Sequence, residues 1–303
     1  MSLPCVIAVI LNTNRRDDTL ECLESLYRNA YPNQRVIVLD NASSDGSAAA
    51  IRERFPQTIL IELDRNLGYA GNNNVGIEAA LQHGADWVFV LNEDTILAPD
   101  CIERLVSVGE EDARIGIVGP MVYHYDEPNV IQSAGGILEA DLAALHVGQN
   151  EVDIGQYPEP RDVAWVSGCA LLVRRKLIEE IGALDERFFY YWEETDWCTR
   201  ARERGWRIVH IPQARLWHKG VQRNYQPSPN VTYYATRNRL LFLRKHHAPP
   251  KVWVLVWLQN LRTLFSWSVR PKWRASMREH RWAIRQGMMD FLRGRWGMRS
   301  QQG

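Results

Sequence analysis

Apolar runs and amphipathic stretches alternate through the first third of the chain. Residues 6–11, 35–39, 58–63 and 87–91 are largely apolar runs of strand length. Between them, residues 17–29 place Leu20, Leu23 and Leu26 at helical spacing, and residues 47–55 and 74–83 also read as helices. Strands apolar on both faces, alternating with helices, predict a mostly parallel sheet covered on both sides. Ligands of such sheets bind beyond the carboxyl ends of the strands. All four predicted strands end in polar clusters: Asn12-Thr13-Asn14, Asp40-Asn41, Asp64-Arg65-Asn66 and Asn92-Glu93-Asp94. Residues 116–205 are less regular, with a hairpin candidate at Ala134-Gly135-Gly136, and from Pro229 the chain reads as helical almost to its end. The expected division is an α/β unit over residues 1–228 and a helical C-terminal region over 229–303.

Composition changes this picture in one respect. The 303 residues suffice for one large α/β domain with an appendage. A net charge of zero conceals an acidic body and a basic tail: from Arg237 onward there are 15 Lys and Arg against two acids, Glu279 and Asp290. That tail also carries Trp253, Trp257, Trp267, Trp273, Trp282 and Trp296. Mixed Trp and Arg suit an anionic membrane surface better than a nucleic-acid groove, so nucleic acid is not an expected partner. Leu255, Leu258, Leu261 and Phe265 would equally serve a homodimer face. Five cysteines without CxxC spacing argue against a disulfide framework or a zinc site and favour the cytoplasm. The N-terminal apolar run lacks a basic leader and reads as a first strand. No run of about 18 apolar residues marks a membrane span. The tail then places the protein at most peripherally, at the inner face of the plasma membrane.

Four segments carry candidate chemistry. Asp40, at a strand end, can accept a hydrogen bond from the N3–H of uracil or thymine; Ser44 or Asp45 behind it caps the next helix. Residues 66–76 combine Gly68, Gly71 and three asparagines, Asn72 to Asn74, before a helix, where backbone approaches a phosphate closely; a long Asx-rich turn is the alternative. Asn92-Glu93-Asp94-Thr95 offers oxygen ligands for Mg²⁺ or Mn²⁺ shared with a diphosphate, or else solvated acids in a turn. Trp192-Glu193-Glu194-Thr195-Asp196 sets acids beside aromatic rings, which raises a carboxyl pKa toward that of a useful base; the same acids also suit a helix N-terminus. His218 is either a metal ligand or a satisfied structural histidine.

Taken in order, VIAVILNTN, VLDNASSDGS, NLGYAGNNNVGI, VFVLNEDT, VSGCALLVRR, GALDERFFYYWEETDWCTR, RLWHKG and YYATRNRLLFLRKH give the chain its resemblance. It resembles the inverting family-2 glycosyltransferases of GT-A fold, in particular their rhamnosyltransferase-like branch, over most of its length to about His247. The resemblance implies a Rossmann-like sheet and a nucleotide-sugar donor. Thr13, Asn14, Asp40 and Asn41 would lie on the nucleotide side, with Arg65, Asn66, Gly68, Asn74, Asn92 and Glu93 lining the donor pocket. Asp94 would be the metal-binding acid of a DxD-like motif and His218 a second ligand to Mg²⁺ or Mn²⁺. Gly168, Trp192 and Glu193 would border the substrate, with Glu194 as catalytic base and Asp196 as the fallback. Two positions depart from the family pattern: Asn92 stands where the motif usually opens with Asp, and Glu194 where the pair usually ends in Asp. A dTDP-L-rhamnose donor is the first expectation and UDP-hexoses the next, with a polysaccharide or lipid-linked acceptor. Two rivals are a sugar nucleotidyltransferase, which would want a Gly-rich loop where Leu11-Asn12-Thr13-Asn14 has none, and a non-enzymatic membrane- or nucleic-acid-binding protein built on the basic tail.

Overall fold

The computed structural model describes residues 3–220 and 222–300. The first half follows the alternation: β1 (Val6–Asn12), α1 (Arg16–Tyr27), β2 (Gln34–Asp40), α2 (Ser47–Arg54), β3 (Ile59–Glu62), α3 (Gly68–Gln82) and β4 (Trp87–Asn92). Then come β5 (Thr95–Leu97), α4 (Cys101–Glu111), β6 (Ile115–His124), β7 (Ile131–Ser133), β8 (Gly136–Leu138), β9 (Ala144–His146) and β10 (Arg161–Asp162). β11 (Ala170–Arg174), α5 (Arg175–Ile181), α6 (Glu193–Glu203) and β12 (Arg207–His218) close the α/β part. Four helices follow: α7 (Pro229–Lys245), α8 (Pro250–Val269), α9 (Pro271–Arg274) and α10 (Arg278–Leu292).

The main sheet runs β10-β12-β6-β11-β4-β1-β2-β3. β1 pairs in parallel with both β2 and β4, and β2 with β3. β11 is antiparallel to both its neighbours, β4 and β6, while β12 pairs in parallel with β6. Side chains on β1 alternate between two cores: Val6, Ala8 and Ile10 belong to one, Ile7 and Val9 to the other. Burial on both faces is why these strands are apolar without a break.

The chain winds outward from β1 to β3 and then returns to the other side of β1 as β4. The order therefore reverses between β1 and β4, and the crevice beyond their carboxyl ends is where an open α/β sheet takes its ligand. Thr13, Arg15 and residues 92–94 border that crevice.

One expectation is corrected. α3 starts at Gly68, well before residue 74, so the glycine and asparagine segment is the helix's first two turns. Three of the asparagine side chains there bond locally, while Asn74 reaches the distant Leu184 backbone. The Asn66 and Asn72 Oδ1 atoms accept from the Gly68 and Leu67 amides, and Asn73 donates to the Tyr69 carbonyl. The sheet is parallel through β3-β2-β1-β4, as expected, with β11 inserted antiparallel between β4 and β6. The Gly135-Gly136 segment does open a hairpin, formed by β8 and β9.

α7 begins where the helical region was expected, with Ser228 as N-cap and Pro229 in the first turn. It is packed onto the α/β part: Leu241 and Phe242 share a buried cluster with Phe188. Among the described residues no helix is long and apolar enough to cross a membrane.

Candidate active site

A cavity of about 380 Å³ opens at this crevice. The ends of β1 and β2 contribute Thr13, Arg15 and Asn41; the α3 start contributes Asn66, Gly68, Tyr69 and Asn72; and the end of β4 contributes Asn92, Glu93 and Asp94. The far wall is aromatic, made by Phe189, Tyr190, Tyr191 and Tyr225, and His218 with Gly220 completes the floor beside Asp94.

His218 reaches this place because β12 pairs antiparallel with β5, setting His218 opposite Thr95. Its Nε2 lies 3.1 Å from Asp94 Oδ1, yet that oxygen is buried without an aligned hydrogen bond. On the ring's other side, Nδ1 lies 2.9 Å from Gln132 Oε1. With Nδ1 donating to that amide oxygen, Nε2 presents a lone pair. An imidazole lone pair and a carboxylate oxygen then face each other with no proton between them, an arrangement a cation relieves. Gly220 keeps the space open, since a Cβ there would come within 2.5 Å of Asp94 Oδ2 and 3.2 Å of His218 Nε2. Asp94 and His218 thus fit a divalent ion as a carboxylate and imidazole pair. No cluster of three or more His, Cys, Asp or Glu side chains is found among the described residues, so the remaining ligands would come from substrate and water.

Charge in the crevice is uneven. Burial alone would raise the Asp94 pKa, but His218 in its protonated form and Arg15, whose guanidinium lies 3.5 Å away, outweigh it and hold the carboxyl below its ordinary value; with His218 neutral, a cation takes the place of that proton. Arg15 also lowers Glu93, but less than burial raises it. Burial, and then the Asp94 charge, push it up to about 7.

Glu193 and Glu194 open α6, whose N-cap Trp192 and its neighbours Phe189 and Tyr191 have left-handed backbone. Glu194 packs beside Gly168, where a Cβ would sit 3.5 Å from the Glu194 carboxyl carbon. The Gly168 carbonyl in turn accepts a 2.5 Å hydrogen bond from the Tyr69 hydroxyl on the cavity wall. Burial raises the pKa of both glutamates, and Glu194 raises Glu193 further. Glu193 Oε2 is buried without a hydrogen-bond partner.

Gly168, Glu193 and Glu194 adjoin the cavity through Tyr69 and Tyr191 but do not line it, and several other expected site residues also lie away from it. Asp196 is fully buried, with Oδ2 accepting from Arg200 Nε at 2.9 Å and Lys245 Nζ at 2.8 Å, and Oδ1 lying 2.9 Å from His246 Nε2. Burial raises its pKa, but these partners win and lower it, so Asp196 joins α6 to α7 and lacks the geometry of a base. Asp40 is buried behind the cavity wall, accepting from Asn12 Nδ2 at 2.7 Å and the Ser43 amide at 3.0 Å. Asn14 accepts from the Ser44 amide, and Asn74 exchanges two hydrogen bonds with the Leu184 backbone. Trp192 packs its ring on Phe242, centroids 5.0 Å apart, and Arg65 is an exposed residue beyond β3. None of these lines the cavity. Conversely, sequence reasoning assigned no role to Arg15, Tyr69, Tyr225, Gln132 or Gly220. Gly220 closes the quoted RLWHKG segment; nothing local marks Gln132, whose role follows from the pairing of β7 with β6.

Residues 7–182 match Glycosyl transferase family 2, more than half of the chain. The chain belongs to that family. It is 30% identical over 238 residues to an N-acetylglucosaminyl-diphospho-decaprenol L-rhamnosyltransferase of Mycobacterium tuberculosis, covering 70% of this chain and 75% of that one. It is 27% identical over 254 residues to a dTDP-rhamnosyl transferase of Shigella flexneri, covering 80% and 81%. Among solved structures it is similar to a mannosyltransferase from Pyrobaculum calidifontis in complex with GDP-mannose and Mn²⁺, with TM-score 0.59, 17% identity and coverage of 96% and 88%. At that identity the likeness speaks for the fold, which is GT-A. This family-2 glycosyltransferase therefore places its Asp94–His218 pair at the topological switch point of a GT-A sheet.

Proposed function

We propose that this enzyme transfers a hexose, with inversion, from a nucleoside diphosphate sugar to a hydroxyl of a polysaccharide or lipid-linked acceptor. L-Rhamnose from dTDP-rhamnose is the first donor, supported by similarity to the two rhamnosyltransferases, and UDP-hexoses are the next. The carrying observation is the Asp94–His218 pair, with its orphaned buried oxygen and the gap left by Gly220. Asp94 and His218 would hold Mg²⁺ or Mn²⁺ together with the donor diphosphate. The ion, when bound, neutralises charge that builds on the leaving diphosphate. Thr13, Asn41, Asn66 and Asn72 border the donor; Tyr190, Tyr191 and Tyr225 offer ring faces to sugar.

Glu194 accepts the proton of the acceptor hydroxyl. The resulting oxygen attacks the anomeric carbon from the face opposite the diphosphate, and the bond to the diphosphate oxygen breaks with its electron pair leaving on that oxygen. One displacement needs no covalent intermediate and inverts the anomeric configuration. Because burial raises the Glu194 pKa, the base ionises only above the ordinary glutamate range, so the acidic limb of kcat lies there too. Glu194→Gln keeps the shape and cannot take the proton. Nucleotide affinity should persist while kcat falls roughly 10²–10⁴-fold; normal turnover in this variant refutes the assignment.

The basic helical region attaches the enzyme to an anionic membrane surface. Of the residues of α8, Val254, Leu255, Leu258, Leu261, Phe265 and Val269 are exposed, and at 100° per residue they fall on one arc with Lys251 and Arg262. No Asp or Glu occurs between Glu203 and Glu279. An apolar stripe with only positive charge around it suits an anionic bilayer, and a homodimer contact is the competing outcome. On this reading the enzyme is peripheral, at the cytoplasmic face of the membrane.

A further inference from the structure

The segment leading into α6 carries an unusual backbone. Phe189, Tyr191 and Trp192 have φ of 66°, 70° and 78°, a left-handed conformation that bulky aromatic residues rarely adopt. Nothing in their own sequence favours it; there is no glycine or asparagine at any of the three positions. The conformation persists because two side chains of α7 hold it.

Arg237 and Asn238 are both fully buried. The Asn238 amide nitrogen lies 2.8 Å from the Phe188 carbonyl, 2.9 Å from that of Tyr190 and 2.8 Å from that of Tyr191. Arg237 Nη2 donates to the carbonyls of Arg187 and Phe188, at 3.2 and 3.0 Å. Its Nη1 donates to the Gly297 carbonyl at 2.7 Å, and its Nε to the Asn238 side-chain oxygen at 2.9 Å. The guanidinium also lies 5.3 and 5.0 Å from the ring centroids of Tyr233 and Tyr234. Two adjacent residues thus grip four carbonyls of one short segment.

That segment is part of the site. Phe189, Tyr190 and Tyr191 are cavity wall, and the chain passes from them through Trp192 directly into Glu193 and Glu194. Gly68 is correspondingly tight against it, since a Cβ there would come within 2.4 Å of the Phe189 ring.

The geometry points to Arg237 and Asn238 as positioning residues for catalysis: by clasping residues 187–191 they set the aromatic wall and aim the first turn of α6. This rests on the reading of Glu194 as the base. Neither residue touches the cavity. They act through the backbone they hold, and a misplacement of about 1 Å at a reacting group costs on the order of 10²-fold in rate.

The test compares Asn238→Ala and Glu194→Gln in the full-length enzyme. For Asn238→Ala, nucleotide affinity by calorimetry should stay within about threefold, while kcat falls by roughly 10²-fold. The acidic limb of the kcat profile should also move to lower pH, because a loosened Glu194 loses the burial that raises its pKa. A variant that merely lost stability would keep that limb where it is. If Glu194→Gln is inactive and Asn238→Ala keeps a wild-type kcat and pH profile, the clasp is overturned while the base stands. If Glu194→Gln is fully active, the base reading falls, and the clasp is then judged by the acceptor KM of Asn238→Ala: a tenfold rise supports it and an unchanged value overturns it. Should Asn238→Ala not fold, Arg237→Lys, which keeps the charge and loses the fork, is read by the same criteria.

Discussion

Asp196 offers the sharpest separation of structure from catalysis. It sits two residues beyond Glu194 in the same acidic run, yet its carboxylate is fully buried among Arg200, Lys245 and His246. Asp196→Asn keeps the volume but removes the negative charge and replaces one acceptor by a donor. Lys245 retains Asp185 at 2.6 Å and His246 retains Glu203 at 2.8 Å, so neither partner is left entirely unpaired. Breaking a buried ion pair costs about 3–5 kcal/mol when the partner is stranded; with these alternatives the lower end, about 3 kcal/mol, is expected. The sign with pH follows from the lowered carboxyl pKa. The Asp196 contribution is fully present above the unfolded carboxyl pKa and is lost as pH falls through the lower folded value. The difference between parent and variant in urea unfolding should therefore be large at neutral pH and shrink in acid. At a temperature where the variant remains folded, kcat should stay within about tenfold of the parent. Unchanged stability with turnover lost by more than 10²-fold would contradict this assignment and make Asp196 the base.

Gly220→Ala should lower Mn²⁺ affinity in calorimetry by at least tenfold with little change in unfolding midpoint, because the added Cβ intrudes between Asp94 and His218; unaltered Mn²⁺ binding would remove the metal from this place. Asp40→Ala removes one of the two acceptors of the buried Asn12 amide and the acceptor of the Ser43 backbone N–H, and should destabilise the protein by about 1–3 kcal/mol; a loss of pyrimidine nucleotide affinity without loss of stability would show that Asp40 reads the base directly. Co-sedimentation with anionic vesicles should occur at low salt, fall as salt rises, and be abolished by Leu258→Glu together with Phe265→Glu; a concentration-dependent dimer that ignores vesicles would assign the α8 face to a second copy.

The parts legible in the sequence were those governed by local pattern. β1, β2 and β4 lie within a residue or so of their apolar runs, and the polar clusters ending β1 and β4 do border the crevice. The α3 start was not legible, because glycine and asparagine disfavour helix by themselves and the contacts that override this come from Tyr69 and Leu184. β11 has the same apolar run as the parallel strands, and such a run says nothing about direction. Asp196 and Glu194 are alike in sequence; Arg200 pairs Asp196 from the same helix, but Lys245 and His246, at the end of α7 and more than forty residues away, complete its burial while Glu194 lies beside Gly168. The grip of Arg237 and Asn238 likewise depends on tertiary placement, though their segment carried part of the family resemblance.

The central claim is nucleotide-sugar transfer dependent on a divalent ion at Asp94 and His218. A donor screen that follows release of dTDP or UDP, with Mn²⁺ and with excess EDTA, for the parent and Asp94→Ala tests it most directly. The account predicts release from a dTDP- or UDP-hexose only with Mn²⁺, stimulated by a saccharide acceptor, and none from the folded Asp94→Ala protein. Equal release in EDTA, or full activity in Asp94→Ala, would contradict it.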